Sequence, residues 1–290
     1  FALLWLPTRY VSLGSITAAV SMPVSTWFLC GHNGLYTSLT VIIAALVLWC
    51  MLKTDGCYHI VLKELCIHRD KLIRILKIGI PAGLQGAIFS ISNVLIQSSI
   101  NSFGSTAMAG NAAAVNIEGF VFTSCNSVAQ ASLTFTSQNL GAGQYKRLRG
   151  ITLWCLALGI LLSEILGFIA YGFGNSLLAF YNKDSEVIAM GMIRMMIVGT
   201  TYGLDAIMDI MADIIRGMGS SVMPMIVTLI GACGFRVVWI YTIFATHHDL
   251  RVLYISYPIS WILTSLTHII CYFIVKRRRL SGLTEGVPSV

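Results

Sequence analysis

The sequence is poor in charge. Charged residues make up 11% of its 290 positions, whereas soluble domains carry about 25%. So little charge cannot cover a surface that faces water, and 56% of the residues are apolar. These proportions exclude a soluble globular domain and a disordered chain, and they predict a protein that faces lipid.

The motifs of several common enzymes are absent as well. The sequence contains no Walker A, GxSxG or HExxH pattern, so ATP hydrolysis and common hydrolase chemistry have no support. The eight cysteines form no CxxC pair and lie mostly within apolar runs, which is typical of small core residues. We therefore expect no catalytic residues, no resident metal and no organic cofactor.

Apolar runs long enough to cross a bilayer recur along the chain. A helix needs about 20 apolar residues to cross about 30 Å of hydrocarbon. Eight runs approach this length, at 8–29, 35–52, 78–100, 107–138, 150–173, 188–215, 221–245 and 252–275. The sequence thus predicts an all-α polytopic membrane protein with about eight transmembrane helices.

One connection between these runs is long. Residues 53–77 mix charges with apolar residues at helical spacing, and Leu65, Leu72 and Leu76 can share one face. This pattern favours an amphipathic helix that lies along the membrane surface. A solvated connector is the alternative.

The basic residues predict the orientation of the chain. If residues 53–77 are cytoplasmic, Lys183 and Arg251 fall outside, Arg194 and Arg236 lie within spans, and the other fifteen of the 19 basic residues fall inside. The C-terminus is then cytoplasmic. Because the basic residues sit in loops between apolar runs rather than on one polar face, we expect contact with membrane lipid and not with nucleic acid.

Three stretches of the sequence carry a family resemblance. They read KIGIPAGLQGAIFSISNVLIQSSINSFG at 77–104, SQNLGAGQYKRLRG at 137–150 and RGMGSSVMPM at 216–225. In this order they resemble the seventh helix, the end of the eighth helix and the loop between the tenth and eleventh helices of MATE (multidrug and toxic compound extrusion) transporters. The resemblance covers about 72–278.

The resemblance implies a domain organisation. MATE transporters have twelve helices in two six-helix lobes around a central cavity. Residues 1–52 would then be the last two helices of a truncated N-lobe, 53–77 the cytoplasmic amphipathic interlobe linker, 78–279 a complete six-helix C-lobe and 280–290 a cytoplasmic tail. The N-terminal helices of the first lobe would be missing from a piece of a longer transporter. The location implied is a bacterial plasma membrane, crossed several times.

Several residues in these stretches have structural roles on this interpretation. Gly141 and Gly143 let the chain turn after a span, since glycine accepts a positive φ. Pro81 sits near the predicted start of a span, where a missing N–H costs little. The structural set is Pro81, Gln138, Gly141, Gly143, Arg216 and Gly217.

Three carboxylates within one span are the first candidate site. Asp205, Asp209 and Asp213 repeat at i, i+4 and i+8, so they follow one slowly turning helix face. Ionised together they repel, and a bound proton or Na⁺ relieves the repulsion. A coupled efflux pump needs this exchange, and so we expect H⁺ or Na⁺ as the coupling ion.

The three carboxylates differ in their expected partners. Asp213 precedes Arg216 by three residues, which favours an ion pair. Asp205 is equally compatible with a structural pair to Arg236, while Asp209 has no evident partner. The family resemblance associates an acidic residue of the tenth helix with ion coupling, and it matches both Asp205 and Asp209, so both stay candidates.

A second polar group predicts the substrate cavity. Glu118 lies near mid-membrane, and amides mark a polar stripe on the preceding span. A carboxylate among amides and aromatic rings suits organic cations, with Phe89, Phe120 and Phe122 offering cation–π contacts. The cavity candidates are Gln85, Asn93, Gln97, Asn116, Glu118 and Phe122, with Glu118 also a coupling candidate. Interhelical hydrogen bonding is the alternative role for these groups.

Three functions are compatible with these patterns. The first is secondary-active efflux of small organic cations or drugs, coupled to H⁺ or Na⁺ antiport. The second is a flippase for lipid or lipid-linked oligosaccharide with a related fold. The third is a membrane prenyltransferase, because D-x-x-x-D-x-x-x-D resembles part of an Asp-rich site for Mg²⁺ and diphosphate, although no second pair of acidic residues lies in another span.

Overall fold

The computed structural model of the chain describes residues 34–53 and 69–284. All regular secondary structure in these ranges is helical, which confirms the predicted all-α class for this part of the chain. The predicted span 8–29, residues 54–68 of the predicted linker and the end of the tail at 285–290 lie outside the described residues.

The described ranges form ten α-helices. They are α1 Gly34–Lys53, α2 Arg69–Asn101, α3 Ser105–Gly141, α4 Arg147–Gly172, α5 Gly174–Tyr181, α6 Ser185–Ile197, α7 Tyr202–Gly217, α8 Val222–Thr228, α9 Phe235–Trp239 and α10 Leu250–Thr284. Five helical stretches among them are long and apolar enough to cross a membrane: Ile75–Asn101, Arg147–Gly172, Ser185–Gly217, Val222–Phe244 and Leu250–Arg278. The 37 residues of α3 also exceed the length of a span but include many serines and threonines.

Helices α2 and α10 extend into the predicted linker and the predicted tail. Because α2 begins at Arg69, residues 69–77 form the first turns of the long helix instead of a separate surface helix. Pro81 consequently lies inside α2 and not near its start, so its ring replaces an N–H that would otherwise bond to the carbonyl of Lys77. At the other end α10 continues to Thr284, so residues 280–284 of the predicted tail are helical, and its cytoplasmic location stays a prediction.

The chain divides into two compact units, Phe1–Ile73 and Arg74–Val290. In the second unit α3 and α7 are the central helices: α3 packs against α4, α6 and α7, and α7 packs also against α10. Glycines permit a close approach between α3 and α6. A Cβ on Gly110 would lie 2.6 Å from the carbonyl oxygen of Val187 and 2.8 Å from the nitrogen of Gly191.

The predicted span 188–215 is a broken helix. A 3-10 turn at Gly199–Thr201 separates α6 from α7. The carboxylate of Glu164 on α4 accepts a 3.0 Å hydrogen bond from the backbone N–H of Gly203, which is among the N-terminal N–H groups that α7 itself cannot satisfy. Glu164 therefore serves as a cap for the second half of the broken helix.

The next span is irregular too. Two π-helical turns, Leu229–Gly234 and Ile240–Phe244, flank the short helix α9. Gly231 in the first of them lies so close to α10 that a Cβ would be 2.5 Å from Oγ1 of Thr264. Such turns are frequent at functional sites, because they shift the side chains of a helix relative to its regular face.

The remaining motif residues support helix ends. Gly143 has φ 71°, as predicted, whereas Gly141 is the last residue of α3. The carbonyl of Gln138 accepts the 2.9 Å hydrogen bond from the N–H of Ala142 that closes this helix. Gly217 packs on α3, where a Cβ would lie 2.9 Å from the carbonyl oxygen of Leu133.

Candidate substrate and ion cavity

A cavity of about 550 Å³ lies between α2, α3, α7 and the last two spans. This volume is within the range of pockets that bind drug-sized molecules. The charged members of its lining are Glu118, Arg194, Asp205, Asp209, Asp213, Arg216 and Arg236.

Most of the predicted cavity residues meet at this site. Gln85, Asn93 and Gln97 of α2 line it together with Glu118 and Phe122 of α3. Asn116 is an error of prediction: its side chain is exposed and its Nδ2 donates to the carbonyl of Ala112 at 2.9 Å, one turn back on its own helix. Asn116 and Glu118 are about 200° apart around α3, so Asn116 faces away from the cavity that Glu118 lines.

Of the three phenylalanines predicted to offer cation–π contacts, two line the cavity and one does not. Phe89 and Phe122 line the cavity. Phe120 does not, since it is 76% exposed and lines an apolar cleft with Phe180. Successive residues on a helix turn by about 100°, so Phe120 and Phe122 cannot both face one cavity.

A first polar network centres on Arg194. Its Nη2 lies 2.8 Å from Oε2 of Glu118, and its Nε lies 3.1 Å from both carboxylate oxygens. Its Nη1 donates to Oδ1 of Asn111 at 3.0 Å, and Nδ2 of Asn111 donates to Oε1 of Gln97 at 3.0 Å. Glu118 is thus held in an ion pair on the cavity wall, which joins α3 to α6.

A second polar network lies at the end of α7. Asp213 and Arg216 form the predicted ion pair at 2.5 Å, although Asp213 is buried instead of lying at the surface. Nη2 of Arg216 also donates to Oε1 of Gln85 at 2.6 Å, and Nε2 of Gln85 donates to Oγ1 of Thr228 at 3.2 Å. Gln85 therefore links α2 to α7 and α8 in addition to lining the cavity.

Asp205 and Asp209 lie between the two networks. Within the described ranges, neither carboxylate has a hydrogen bond or an ion pair within 4 Å. The predicted alternative of a direct pair between Asp205 and Arg236 is therefore not formed, and Arg236 acts on Asp205 only through longer-range attraction. The negative charges of Asp205 and Asp213 repel the carboxylate of Asp209, and the positive charge of Arg216 attracts it.

Sequence reasoning missed part of the cavity wall. Asn111 bridges Gln97 and Arg194, and it also accepts a 3.1 Å hydrogen bond from the hydroxyl of Tyr254. Asn111 precedes Glu118 by seven residues, so the helical repeat could have placed both on one face. The aromatic residues Tyr254, Tyr257 and Trp261 follow the same spacing on α10, but apolar helices have such stripes often.

His248, in the loop that precedes α10, makes ordinary contacts. Nε2 of His248 lies 2.9 Å from Oγ of Ser102, and its ring stacks on Phe103 with 4.3 Å between centroids. Among the residues that the structure describes, no group of three His, Cys, Asp or Glu side chains is placed to hold a metal ion.

Helices long and apolar enough to cross a membrane thus surround a cavity with buried charges. The MatE family model matches residues 81–242, more than half of the chain. The chain belongs to the MATE family. Members of this family are transporters and not enzymes, which removes the prenyltransferase alternative.

Curated relatives resemble the chain over part of their length. The probable multidrug resistance protein YoeA of Bacillus subtilis is 21% identical over 77% of this chain and 49% of its own length. The probable multidrug resistance protein NorM of Thermotoga maritima is 25% identical over 54% of this chain and 34% of its own length. The chain thus spans half or less of the length of these relatives.

Solved structures share the fold. The Vibrio cholerae MATE transporter VcmN in the bent form matches with a TM-score of 0.71 and 16% identity, over 84% of this chain and 55% of that one. A MOP superfamily transporter from Pyrococcus furiosus matches with a TM-score of 0.74 and 17% identity, over 92% and 61%. At these identities the likeness concerns the fold alone.

Proposed function

We propose that the chain forms part of a secondary-active exporter of small organic cations, driven by the entry of H⁺ or Na⁺. The observation that carries this proposal is that the carboxylates of Asp205 and Asp209 line the cavity without a partner among the described residues. Both line a cavity of drug-sized volume, and no described residue pairs with either carboxylate within 4 Å. The names of the relatives, probable multidrug resistance proteins, support the same function.

The exchange follows from electrostatics. Asp205 lies in the first turn of α7, where the helix dipole favours a negative charge. Asp209 follows one turn later, so two negative charges share a water-poor wall and repel each other. A proton, a Na⁺ ion or a cationic substrate relieves this repulsion. Because all three relieve the same repulsion, entry of the coupling ion displaces the substrate, and antiport results.

The same proposal includes a location and partners. The protein lies in a bacterial plasma membrane with its C-terminus in the cytoplasm. The 3.3 Å contact between Oγ1 of Thr152 and the hydroxyl of Tyr272 supports a common side for the basic start of α4 and the basic end of α10. The partners are membrane lipid, organic cations and the first-lobe helices of the family fold.

The experiment measures efflux of a fluorescent cationic dye from cells that express the natural full-length protein. Asp205→Asn together with Asp209→Asn should abolish the dependence of efflux on the H⁺ or Na⁺ gradient. Asp184→Asn is the matched control, because it removes the same charge at an exposed helix cap that asparagine also serves. Unchanged gradient-driven efflux in the double variant contradicts the proposal, and transbilayer movement of labelled lipid without dye efflux favours a flippase.

A further inference from the structure

Arg236 on α9 is a buried cation with free hydrogen-bond donors. It is 1% exposed, and its Nε donates to Oγ of Ser260 at 3.0 Å. Its Nη1 and Nη2 have no hydrogen-bond partner among the described residues. A buried donor without a partner destabilises the protein, and a charged donor does so more, so this arrangement calls for an acceptor.

Aromatic rings surround the guanidinium of Arg236 without satisfying those donors. Its Cζ lies 4.1 Å from the ring centroid of Tyr257, 5.5 Å from that of Phe89 and 5.9 Å from that of Trp261. Cation–π contacts use the flat face of a guanidinium and stabilise its charge. The N–H groups point outward in its plane, where they can form two parallel bonds to a carboxylate.

Unpaired charges of the opposite sign occupy the same cavity wall. Asp205 is 4% exposed, Asp209 is half-buried, and neither is paired with Arg236 within 4 Å. A purely cationic ligand would satisfy the carboxylates and meet repulsion from Arg236. A ligand that carries both an ammonium and a carboxylate meets attraction at both places.

We propose that Arg236 is the anion-binding group of this cavity and that the preferred cargo is zwitterionic. The carboxylate of the cargo bonds to Nη1 and Nη2 of Arg236, and its ammonium faces Asp205 and Asp209. This inference rests on the proposed export function and narrows its substrate class.

The test uses two probes that differ in one charge. At about pH 6, Nε-dansyl-lysine carries a free ammonium and a free carboxylate, and its methyl ester keeps only the ammonium. Equilibrium binding to the purified full-length protein should favour the acid over the ester by about tenfold, as a charge-assisted bidentate bond implies. Arg236→Gln should bring this ratio to about one and leave the affinity for the ester equal or higher, because the repulsion is lost.

Controls separate recognition from folding. Arg251→Gln removes an exposed arginine at the start of α10 and should keep the ratio of the wild type. Arg236→Lys keeps the charge without the fork of donors and should give an intermediate ratio. The inference is overturned if the wild type binds the acid no better than the ester, or if folded Arg236→Gln protein keeps the tenfold preference. The proposed function fails in a different way, through loss of gradient-driven dye efflux in the wild type itself.

Discussion

Arg194 of α6 and Glu118 of α3 form a bidentate ion pair in the interior of the bundle, with 2.8 Å between Nη2 and Oε2. Both side chains are less than one-tenth exposed. The pair is further enclosed by Tyr254 and Tyr257, whose ring centroids lie 5.5 and 5.3 Å from Cζ of Arg194. The cavity wall at this point is therefore fixed by charge pairing between two helices.

Removal of one partner of this pair should destabilise the protein strongly. Glu118→Ala leaves the charge of Arg194 buried and unpaired, which costs about 3–5 kcal/mol. Thermal unfolding in detergent should show a large fall in Tm, and Glu186→Gln, an exposed change in the first turn of α6, should show almost none. Glu118→Met with Arg194→Met should recover part of the loss. Equal Tm values for Glu118→Ala and the wild type would refute a structural role for the pair.

The crossing of α3 and α6 should not tolerate a side chain. Gly110→Val places atoms where the backbone of Val187 and Gly191 already lies, so the two helices must separate. Overpacking costs about 1–3 kcal/mol, and the separation also stretches the bonds of Asn111 and Glu118 to Arg194. Unfolding of Gly110→Val should occur at a clearly lower temperature. Gly150→Ala is the control, because the added Cβ has no atom within 4 Å apart from the adjacent backbone of its own helix. Similar Tm values for both variants would contradict the crossing.

The cap at the helix break gives a third prediction. Glu164→Ala removes the acceptor for the N–H of Gly203 and should cost about 1 kcal/mol, the usual effect of a lost cap. Glu164→Gln keeps a carbonyl acceptor and should lie close to the wild type. The rate of backbone amide hydrogen exchange at residues 199–203 should rise in the alanine variant and not in the glutamine variant. A rise of the same size in both would show that the charge of Glu164 matters and not its acceptor.

Sequence reasoning predicted the helices because hydrocarbon imposes a simple rule on length and polarity. The three aspartates of α7 were found for the same reason, since a charge in a membrane helix is rare and visible. Periodicity also placed Gln85, Asn93, Gln97 and Glu118 toward one cavity. These predictions depend on properties of single helices.

The failures depend on contacts between helices. The direct pair between Asp205 and Arg236, one of the two roles left open for Asp205, rested on depth alone, and depth does not give the rotation of a helix. Asn116 was misplaced because it precedes Glu118 by two residues, and positions i and i+2 of a helix do not share a face. The helix break at Gly199–Thr201 contains no proline that would have marked it in the sequence. Glu164, whose carboxylate caps the second half of the broken helix, lies 39 residues away from Gly203.

The central claim is that Asp205 and Asp209 exchange the coupling ion for the substrate. Its most direct test is the simultaneous measurement of dye movement and of H⁺ or Na⁺ movement in vesicles that contain the natural full-length protein. The account predicts that dye moving in one direction drives the ion in the other, and that Asp205→Asn with Asp209→Asn abolishes the ion movement while Asp184→Asn preserves it. Ion movement coupled to dye at the wild-type ratio in the double variant would contradict the claim.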